Sequence, residues 1–472
     1  MIPVTTFAGR DVAIFGLGVS GIAAARALRA GGANVFAWDD GAKSREAAAA
    51  LGVAVQDLSA LDWSRFAALL LAPGVPLTHP EPHWTVTKAR DAGVEIIGDT
   101  ELFFRERAAQ GSGAKIVAVT GTNGKSTTSA LTAHILAEAG QRVELGGNIG
   151  NAVLDLEPFA DDLTYVIELS TFQIDLTPSL APDAAALLNI TPDHLDRHGS
   201  IENYAAIKAR IFAGLPRGGT AVIGVDDELS RAVADGLAGS LSVRRVSIGE
   251  PVQTGIWVSG GMLIEVQTGV ELAHVNLAGI DSLRGAHNWQ NAAVAYALAR
   301  AQGVDAESIE RGLKSFAGLA HRMEQVGRLG RVLFVNDSKA TNADAASKAL
   351  ASFSDIFWIV GGRPKSGALS GLDPLFPKVT RAYLIGEAAD AFAGELKGRV
   401  ETTLSGTLDQ AVAEAAADAS RSKAREPVVL LSPACASYDQ FANFEARGNA
   451  FRDLVRRIDG VEDITPKQGK AA

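Results

Sequence analysis

The sequence predicts an α/β protein built from three domains in series, and three observations carry that expectation. The chain has 472 residues, more than one hydrophobic core organises, and roughly 150 residues per domain gives about three units. Short apolar runs alternate with Ala-rich helical stretches along the whole length, which is the rhythm of βαβ units with a mainly parallel sheet. The alternation breaks at the polar, Gly-containing stretch RERAAQGSGA (105–114) and near FAGLAHRM (316–323), so domains are expected at 1–109, 110–317 and 318–472.

The first series runs DVAIFG, helical SGIAAARALRAGG, NVFAWD, AALLLAPG and helical TVTKARDAG. The second starts at KIVAVTG, continues through YVIELS, AALLNI and TAVIGV, and closes with the helix NWQNAAVAYALARAQG. The third repeats the alternation with RVLFVND, DIFWIVGG, RAYLIGE and PVVLLSP. The final VEDITPKQGKAA is polar, contains a proline and lacks periodicity, so it is expected to fray or be disordered.

A hydrophobic content of 47% with 21% charged residues is that of a soluble globular protein, and no apolar run approaches the ~18 residues of a membrane span. The N-terminus MIPVTTFAGRDVAIFG lacks a basic region followed by a long apolar stretch, so the expectation is a cytoplasmic protein without a membrane partner. The formal net charge is −10 and no Lys/Arg cluster stands out, which argues against a nucleic-acid partner and for a small molecule. The single cysteine, Cys435, excludes an intrachain disulfide and a multi-cysteine metal site. In LLSPACASYDQF it follows an apolar run and reads as a small buried residue.

The run VTGTNGKSTT is the strongest chemical signal. The strand from Lys115 to Val119 leads into Gly121 and Gly124, and a helix is expected to begin near Ser126. Glycines let successive N–H groups point inward, and the helix N-terminus adds partial positive charge, so this turn suits phosphate. Gly121, Thr122, Asn123 and Gly124 would form the cradle, Lys125 would reach the terminal phosphates, and a Ser126 or Thr127 hydroxyl would ligate Mg²⁺. The standard template has a glycine where this chain has Val119, so this is a shorter variant loop. ATP is the expected ligand.

A second loop, FGLGVSG, places Gly16, Gly18 and Gly21 between a strand and a helix, with Asp39 and Asp40 at the end of the next strand. This matches the dinucleotide fingerprint, in which backbone N–H groups hold a pyrophosphate and an acid takes a ribose hydroxyl. Taken alone it suggests NAD. The loop reads only diphosphate and ribose, however, and a UDP-linked substrate carries both.

Glu168 closes the strand YVIELS beside the phosphate loop, a position suited to holding Mg²⁺. TPDHLDRHG offers Asp193, His194, Asp196 and His198, for which metal binding and turn capping stand even by spacing alone. Lys208, in ENYAAIKARIF, reads as a solvated helix lysine.

Together LAPGVPLTHP, VTGTNGKSTT, GGNIG, ELSTFQ, NITPDHLDRHG, RGAHNWQNAAVA, HRME, NDSKATN and LSPACASYDQF resemble the Mur ligases of bacterial cell-wall synthesis, most closely those that add D-glutamate. The resemblance covers nearly the whole chain. It implies a Rossmann-like N-terminal domain, a P-loop-type central ATPase domain and a Rossmann-like C-terminal domain. It also implies an ATP-dependent ligase that joins D-glutamate to UDP-N-acetylmuramoyl-L-alanine through an acyl phosphate, with two Mg²⁺ ions, and a monomer is expected.

Residue by residue, the resemblance puts the uridine diphosphate at Gly16, Gly18, Ser20, Gly21, Asp39 and Asp40, with Gly74 nearby and Asn148 reaching it from the central domain. Lys125 would hold ATP phosphates, Ser126 and Glu168 one metal ion, and Glu168, His194 and a carbamylated Lys208 a second. Asn288, Asn291, Arg322 and Asp337 would contact ATP. Lys339, Thr341, Lys365, Ser437 and Phe444 would line the D-glutamate pocket. The chain departs from the family pattern at Thr171, where a serine is common, and at Arg363 and Pro364, which flank Lys365 in an unexpected register. Closure about hinges near 105–114 and 316–322 is expected, because an acyl phosphate must be kept from water.

Three rival readings differ in what they bind. An NAD-dependent dehydrogenase rests on GLGVSG alone and predicts NADH binding without UDP-sugar binding. A folylpolyglutamate-type ligase shares GTNGKS but has no need of the first loop. A non-catalytic nucleotide switch predicts ATP binding without amino-acid-dependent phosphate release.

Overall fold

The computed structural model describes residues 1–364 and 367–465. It contains three sheets within two compact units, one formed by 1–276 with 290–315 and the other by 277–289 with 316–465. The first unit holds two sheets. Strands β1 (Asp11–Phe15), β2 (Asn34–Trp38), β3 (Ala68–Leu71) and β4 (Glu95–Ile97) form an all-parallel sheet in the order β2-β1-β3-β4. The chain reverses direction across this sheet at β1, which leaves a crevice beyond the C-terminal ends of β1 and β3, the usual ligand position in such sheets.

The second sheet comprises β5 (Lys115–Thr120), β6 (Arg142–Gly147), β7 (Leu163–Glu168), β8 (Ala184–Leu187), β9 (Thr220–Gly224), β10 (Ser242–Ser247), β11 (Gly255–Ser259), β12 (Met262–Gln267) and β13 (Val270–Asn276). Its order is β13-β12-β11-β10-β9-β8-β5-β7-β6, parallel from β6 to β11 and antiparallel through β12 and β13. β5 therefore lies between β7 and β8, and the loops after those three strands share one edge of the sheet. β7 is buried along its length, as expected for a strand covered on both faces.

The second unit carries β14 (Glu324–Leu329), β15 (Val332–Asn336), β16 (Ile356–Gly361), β17 (Val379–Ile385), β18 (Thr402–Gly406) and β19 (Val428–Leu431), in the order β14-β15-β19-β16-β17-β18. Only the β14–β15 pair is antiparallel. The loops after β15, β19 and β16 thus emerge side by side.

Several expectations are corrected. RERAAQGSGA is not a linker over most of its length: Asp99–Gln110 is one helix, ended by Gly111 in a left-handed conformation. Phe103 and Phe104 on that helix are buried in a core that also contains Val12, Ile14, Ile116 and Tyr165, so the first two sheets share apolar packing. Glu106, buried on the same helix, accepts the Thr5 N–H at 2.8 Å and the Thr5 hydroxyl at 2.7 Å. Polar composition suggests a flexible segment, whereas its charges are committed to fixed bonds, so a hinge there would have to fall within 111–114.

The two units part after Ser315, and residues 277–289 also belong to the second unit. Arg284 pairs with Glu426 at 2.7 Å and lies over the Phe353 ring at 5.1 Å. Residues 461–465 do not fray: Arg328 and Glu462 exchange backbone hydrogen bonds of 2.9 and 2.8 Å, and the Thr465 hydroxyl donates to the Val326 carbonyl at 3.1 Å. The rest of the polar tail, from 466 on, lies outside the described residues.

Candidate active site

β5 extends through Thr120, so Val119 is a buried strand residue and the turn begins only at Gly121. This is the structural form of the shortened loop. The following helix, Lys125–Glu138, is capped by Gly124 at φ 86° without a side-chain cap. A Cβ at Gly124 would fall 2.2 Å from Asn291 Oδ1. Glycine is therefore required both by conformation and by space, and the same contact brings the predicted Asn291 onto the loop. The Lys125 ammonium turns back over the turn, donating to the Gly121 and Thr122 carbonyls at 2.8 Å each. Ser126 is buried in the first helical turn, and Thr127 is half-buried.

The loop after β8 braces this turn from one side. Thr122 N–H donates to the Asn189 carbonyl and Asn123 N–H to Asn189 Oδ1, both at 2.9 Å. Asn189 is a supporting residue that sequence reasoning missed, although it lies in the NITPDH motif. On the other side Glu168 ends β7 opposite Val119. Its carboxylate is 1% exposed. Oε1 accepts from Asn148 Nδ2 at 2.7 Å, whereas Oε2 is buried and has no hydrogen-bond partner.

An unpartnered buried carboxylate oxygen is costly. A hard cation would satisfy it, and oxygen donors are what Mg²⁺ takes. The unpartnered oxygen of Glu168 is therefore suited to such an ion. Asn148, expected at the diphosphate, is held on this carboxylate.

Lys208 contradicts its reading as a solvated lysine, being 1% exposed. Its Nζ donates to the Gly121 carbonyl at 2.9 Å and lies 4.5 Å from the Tyr204 ring centre. Desolvation first, and then the neighbouring Lys125 charge, hold its pKa well below the ordinary lysine value. Helix Ile201–Ala209 turns this position into the core because Tyr204, Ala205 and Ile207 share its inner side, a pattern too short to stand out in sequence.

His194 is exposed, at φ 51°, with Asp193 3.4 Å away. The dense TPDHLDRHG cluster does not converge: among the described residues no three His, Cys, Asp or Glu side chains form a metal-holding group. His198 instead turns inward to Thr171 Oγ1 at 2.8 Å. The STFQ segment before it has its own physical reason, since Ser170 and Gln173 form a reciprocal capping box.

In the first sheet the loop after β1 divides its glycines by role. A Cβ at Gly16 would fall 2.5 Å from Ala72 Cβ, and one at Gly21 only 1.9 Å from the Gly16 carbonyl, so those two serve packing. Gly18 is exposed and a Cβ there would meet nothing within 4 Å. It opens the helix Val19–Ala30, which has no side-chain N-cap, leaving a helix terminus able to receive an anion.

Asp39 accepts from Leu17 N–H through Oδ2 and Gly41 N–H through Oδ1, both at 2.7 Å, while Asp40 faces His83 Nε2 at 3.1 Å. Ser20 donates to Asp99, a fully buried carboxyl whose pKa burial raises, which sequence reasoning missed. Gly18→Ala is expected to leave thermal stability near wild type while weakening binding of a diphosphate-bearing ligand at this terminus roughly tenfold or more, whereas Gly21→Ala lowers stability itself. Calorimetric binding and melting of both variants check this.

In the second unit Asp337 follows β15. It accepts from Ser432 Oγ at 2.9 Å and from Met323 N–H at 3.2 Å, and complete burial pushes its pKa up to about 7. Lys339 lies 4.9 Å from the Phe444 ring centre, Thr341 N–H donates to the Lys339 carbonyl at 2.9 Å, and Ser437 is buried after β19. Arg322 belongs to the same unit and acts electrostatically on Asp337. Asn288 Nδ2 donates to the Arg284 carbonyl at 3.0 Å. Lys365 lies outside the described residues.

Cys435 is buried, as read from sequence, and burial pushes its thiol pKa up to about 12. Because Asp337 is raised from 3.8 to about 7, the folded state retains a proton that the unfolded chain has released. Stability from this group is full below about pH 4 and is lost as pH rises through 7. Asp337→Asn is expected to flatten that part of an unfolding titration.

The Mur ligase middle-domain family model matches residues 119–299 and the Mur ligase, glutamate ligase domain model residues 321–435. A protein of Nitrobacter hamburgensis named UDP-N-acetylmuramoylalanine--D-glutamate ligase is 58% identical over 466 residues, covering 98% of this chain and 100% of the relative. A Rhodopseudomonas palustris protein of the same name is 59% identical over 470 residues, with 98% and 100% coverage. Among solved structures, UDP-N-acetylmuramate-alanine ligase MurC of Thermotoga maritima is similar in fold at a TM-score of 0.58 and 17% identity, covering 95% of this chain and 99% of that one. MurF of Acinetobacter baumannii is similar at 0.55 and 19% identity, with 76% and 81% coverage.

Proposed function

We propose that this chain, which belongs to the Mur ligase family, is an ATP-dependent amide ligase adding D-glutamate to UDP-N-acetylmuramoyl-L-alanine in peptidoglycan precursor synthesis. The observation that carries this reading is the turn after β5. There, Lys125 is held on two loop carbonyls, beside a buried glutamate with one oxygen unpartnered, in a chain similar end to end to ligases of that name. A strand-to-helix phosphate loop alone would suit many nucleotide enzymes. The identity along the whole chain narrows the reaction to one family member.

The reaction balances in two steps. The terminal carboxylate of the L-alanyl group attacks the γ-phosphorus of ATP, releasing ADP and forming an acyl phosphate. The neutral amine of D-glutamate then attacks the acyl carbon, phosphate leaves, and the amine proton passes to a base or solvent. Bringing a carboxylate to a triphosphate needs positive charge, which Lys125 and Arg322 would each supply. Mg²⁺, when bound, adds cationic charge against the same anions.

Ser126 and Glu168 would hold one ion. A second, with Glu168 and His194, needs an oxygen from Lys208, because an ammonium repels the metal. Carbamylation supplies that oxygen, and the depressed pKa of Lys208 favours the neutral amine that reacts with CO₂. Turnover is expected to fall when bicarbonate and CO₂ are rigorously removed and to recover on their return. Unchanged turnover contradicts the carbamate.

The Gly18 terminus with Ser20 and Asp39 would take the diphosphate and ribose of the nucleotide sugar. Asn288, Asn291 and Asp337 would contact ATP, and Lys339, Thr341, Lys365, Ser437 and Phe444 would line the D-glutamate pocket. In this reading segments 1–109, 110–317 and 318–472 carry mainly the nucleotide sugar, ATP and D-glutamate respectively, in a cytoplasmic monomer. ADP release with UDP-N-acetylmuramoyl-L-alanine, measured across D- and L-amino acids, tests the function. Selective stimulation by D-glutamate is expected, and ADP release indifferent to the amino acid contradicts it.

A further inference from the structure

We propose that Arg197 is a positioning residue that ties the nucleotide-sugar loop after β3 to the His194 segment after β8. The proposal extends the reading of Gly74 as a substrate contact. Arg197 Nη1 donates to the Gly74 carbonyl at 3.0 Å. Its guanidinium lies 4.8 Å from the Phe172 ring centre, a cation–π arrangement that fixes the plane of the fork.

Phe172 is in turn stacked on His198, with centroids 5.2 Å apart and 14° between planes. His198 is fastened by Thr171 Oγ1 at 2.8 Å, and its carbonyl accepts from Asn203 Nδ2 at 2.9 Å. The arginine is therefore presented from a locked surface.

The receiving loop is built to use it. Val75 N–H closes a turn onto the Ala72 carbonyl at 2.9 Å. Gly74 at its tip is exposed, and a Cβ there would meet nothing within 4 Å. The Gly74 carbonyl and the Val75 N–H belong to one peptide, so Arg197 holds one side of a group whose other side is closed onto Ala72.

A second contact lies alongside: a Cβ at Gly199 would fall 2.9 Å from His79 Nε2. The segment 194–199 thus touches both ends of the loop 74–79. Its first residue is the proposed metal-side His194, so one arginine couples nucleotide-sugar placement to the catalytic turn.

The test is calorimetric binding of UDP-N-acetylmuramoyl-L-alanine to the full chain without ATP, with melting curves, for wild type, Arg197→Gln and Arg197→Lys. Arg197→Gln is expected to weaken binding roughly tenfold, the scale of one hydrogen bond from a charged donor. The lysine variant should fall between it and wild type.

In turnover, the KM for the nucleotide sugar is expected to rise while those for ATP and D-glutamate stay within about twofold. Equal nucleotide-sugar binding by wild type and Arg197→Gln overturns the proposal. So does a parallel rise of all three KM values with a lowered melting temperature in both variants. A wild type that binds the nucleotide sugar but forms no amide defeats the ligase reading alone, and the binding ratio still decides Arg197. A wild type that binds no nucleotide sugar defeats both.

Discussion

Lys125→Ala is expected to lower amino-acid-dependent ADP release by about 10³-fold or more, the scale seen when a preorganised cation or donor is removed from a transferring phosphoryl group. The expectation follows from where the ammonium sits. Held by the Gly121 and Thr122 carbonyls at 2.8 Å, it spans the inside of the turn rather than reaching into solvent. The fold should survive the change, because the Gly121 carbonyl keeps a donor in Lys208 at 2.9 Å. Lys208 also loses a repelling neighbour, so its pKa should move back towards the ordinary lysine value. Steady-state ADP release and a melting curve on the same preparation separate the two effects. Turnover within tenfold of wild type would mean the turn is structural.

Glu168→Gln is the second large effect, expected to cut turnover at least about 10²-fold without lowering stability in metal-free buffer. The amide keeps an oxygen for Asn148 and removes the charge from a side chain whose other oxygen is buried and unpartnered. Such a group contributes function at the expense of stability, so its neutralisation should leave the melting temperature equal or higher. A lower melting temperature, or turnover close to wild type, would contradict the role assigned to the unpartnered oxygen. Excess Mg²⁺ should not restore the variant.

Much of this arrangement is legible in the sequence because it is local. The two glycine loops lie within a few residues of their strands and helices, and β1, β5, β15, β16 and β19 are continuous apolar runs. Asp99–Gln110 misleads because its charges suggest a solvated linker. Those charges are paired instead: Arg105 with Glu101 one turn back at 2.6 Å and with Glu95 at 2.8 Å, and Glu106 with the distant Thr5. The β11–β13 ribbon escapes sequence reasoning for a different reason. It adds antiparallel strands to a parallel sheet, and the mostly exposed β13 lacks the apolar run that marks the others.

Within the site, Lys208 reads wrongly from sequence because burial of a helix lysine depends on what packs over it. That burial depresses its pKa first, and the charge that adds to the effect, Lys125, is 83 positions away. Asn189 and Arg197 share that limitation. Each acts on a turn far along the chain, Asn189 on 122–123 and Arg197 on Gly74, and nothing in their local spacing signals the partner. His194 lies in the conspicuous acidic and histidine cluster, yet most of that cluster caps and packs the 194–199 segment instead of gathering around one point.

The central claim is that a carboxylate is activated as an acyl phosphate at the turn after β5. Nucleotide sugar labelled with ¹⁸O in the L-alanyl carboxylate, incubated with ATP, Mg²⁺ and D-glutamate, tests it most directly by mass analysis of the released phosphate. The account predicts one ¹⁸O atom in each phosphate formed with an amide bond. Amide formation with unlabelled phosphate would contradict it.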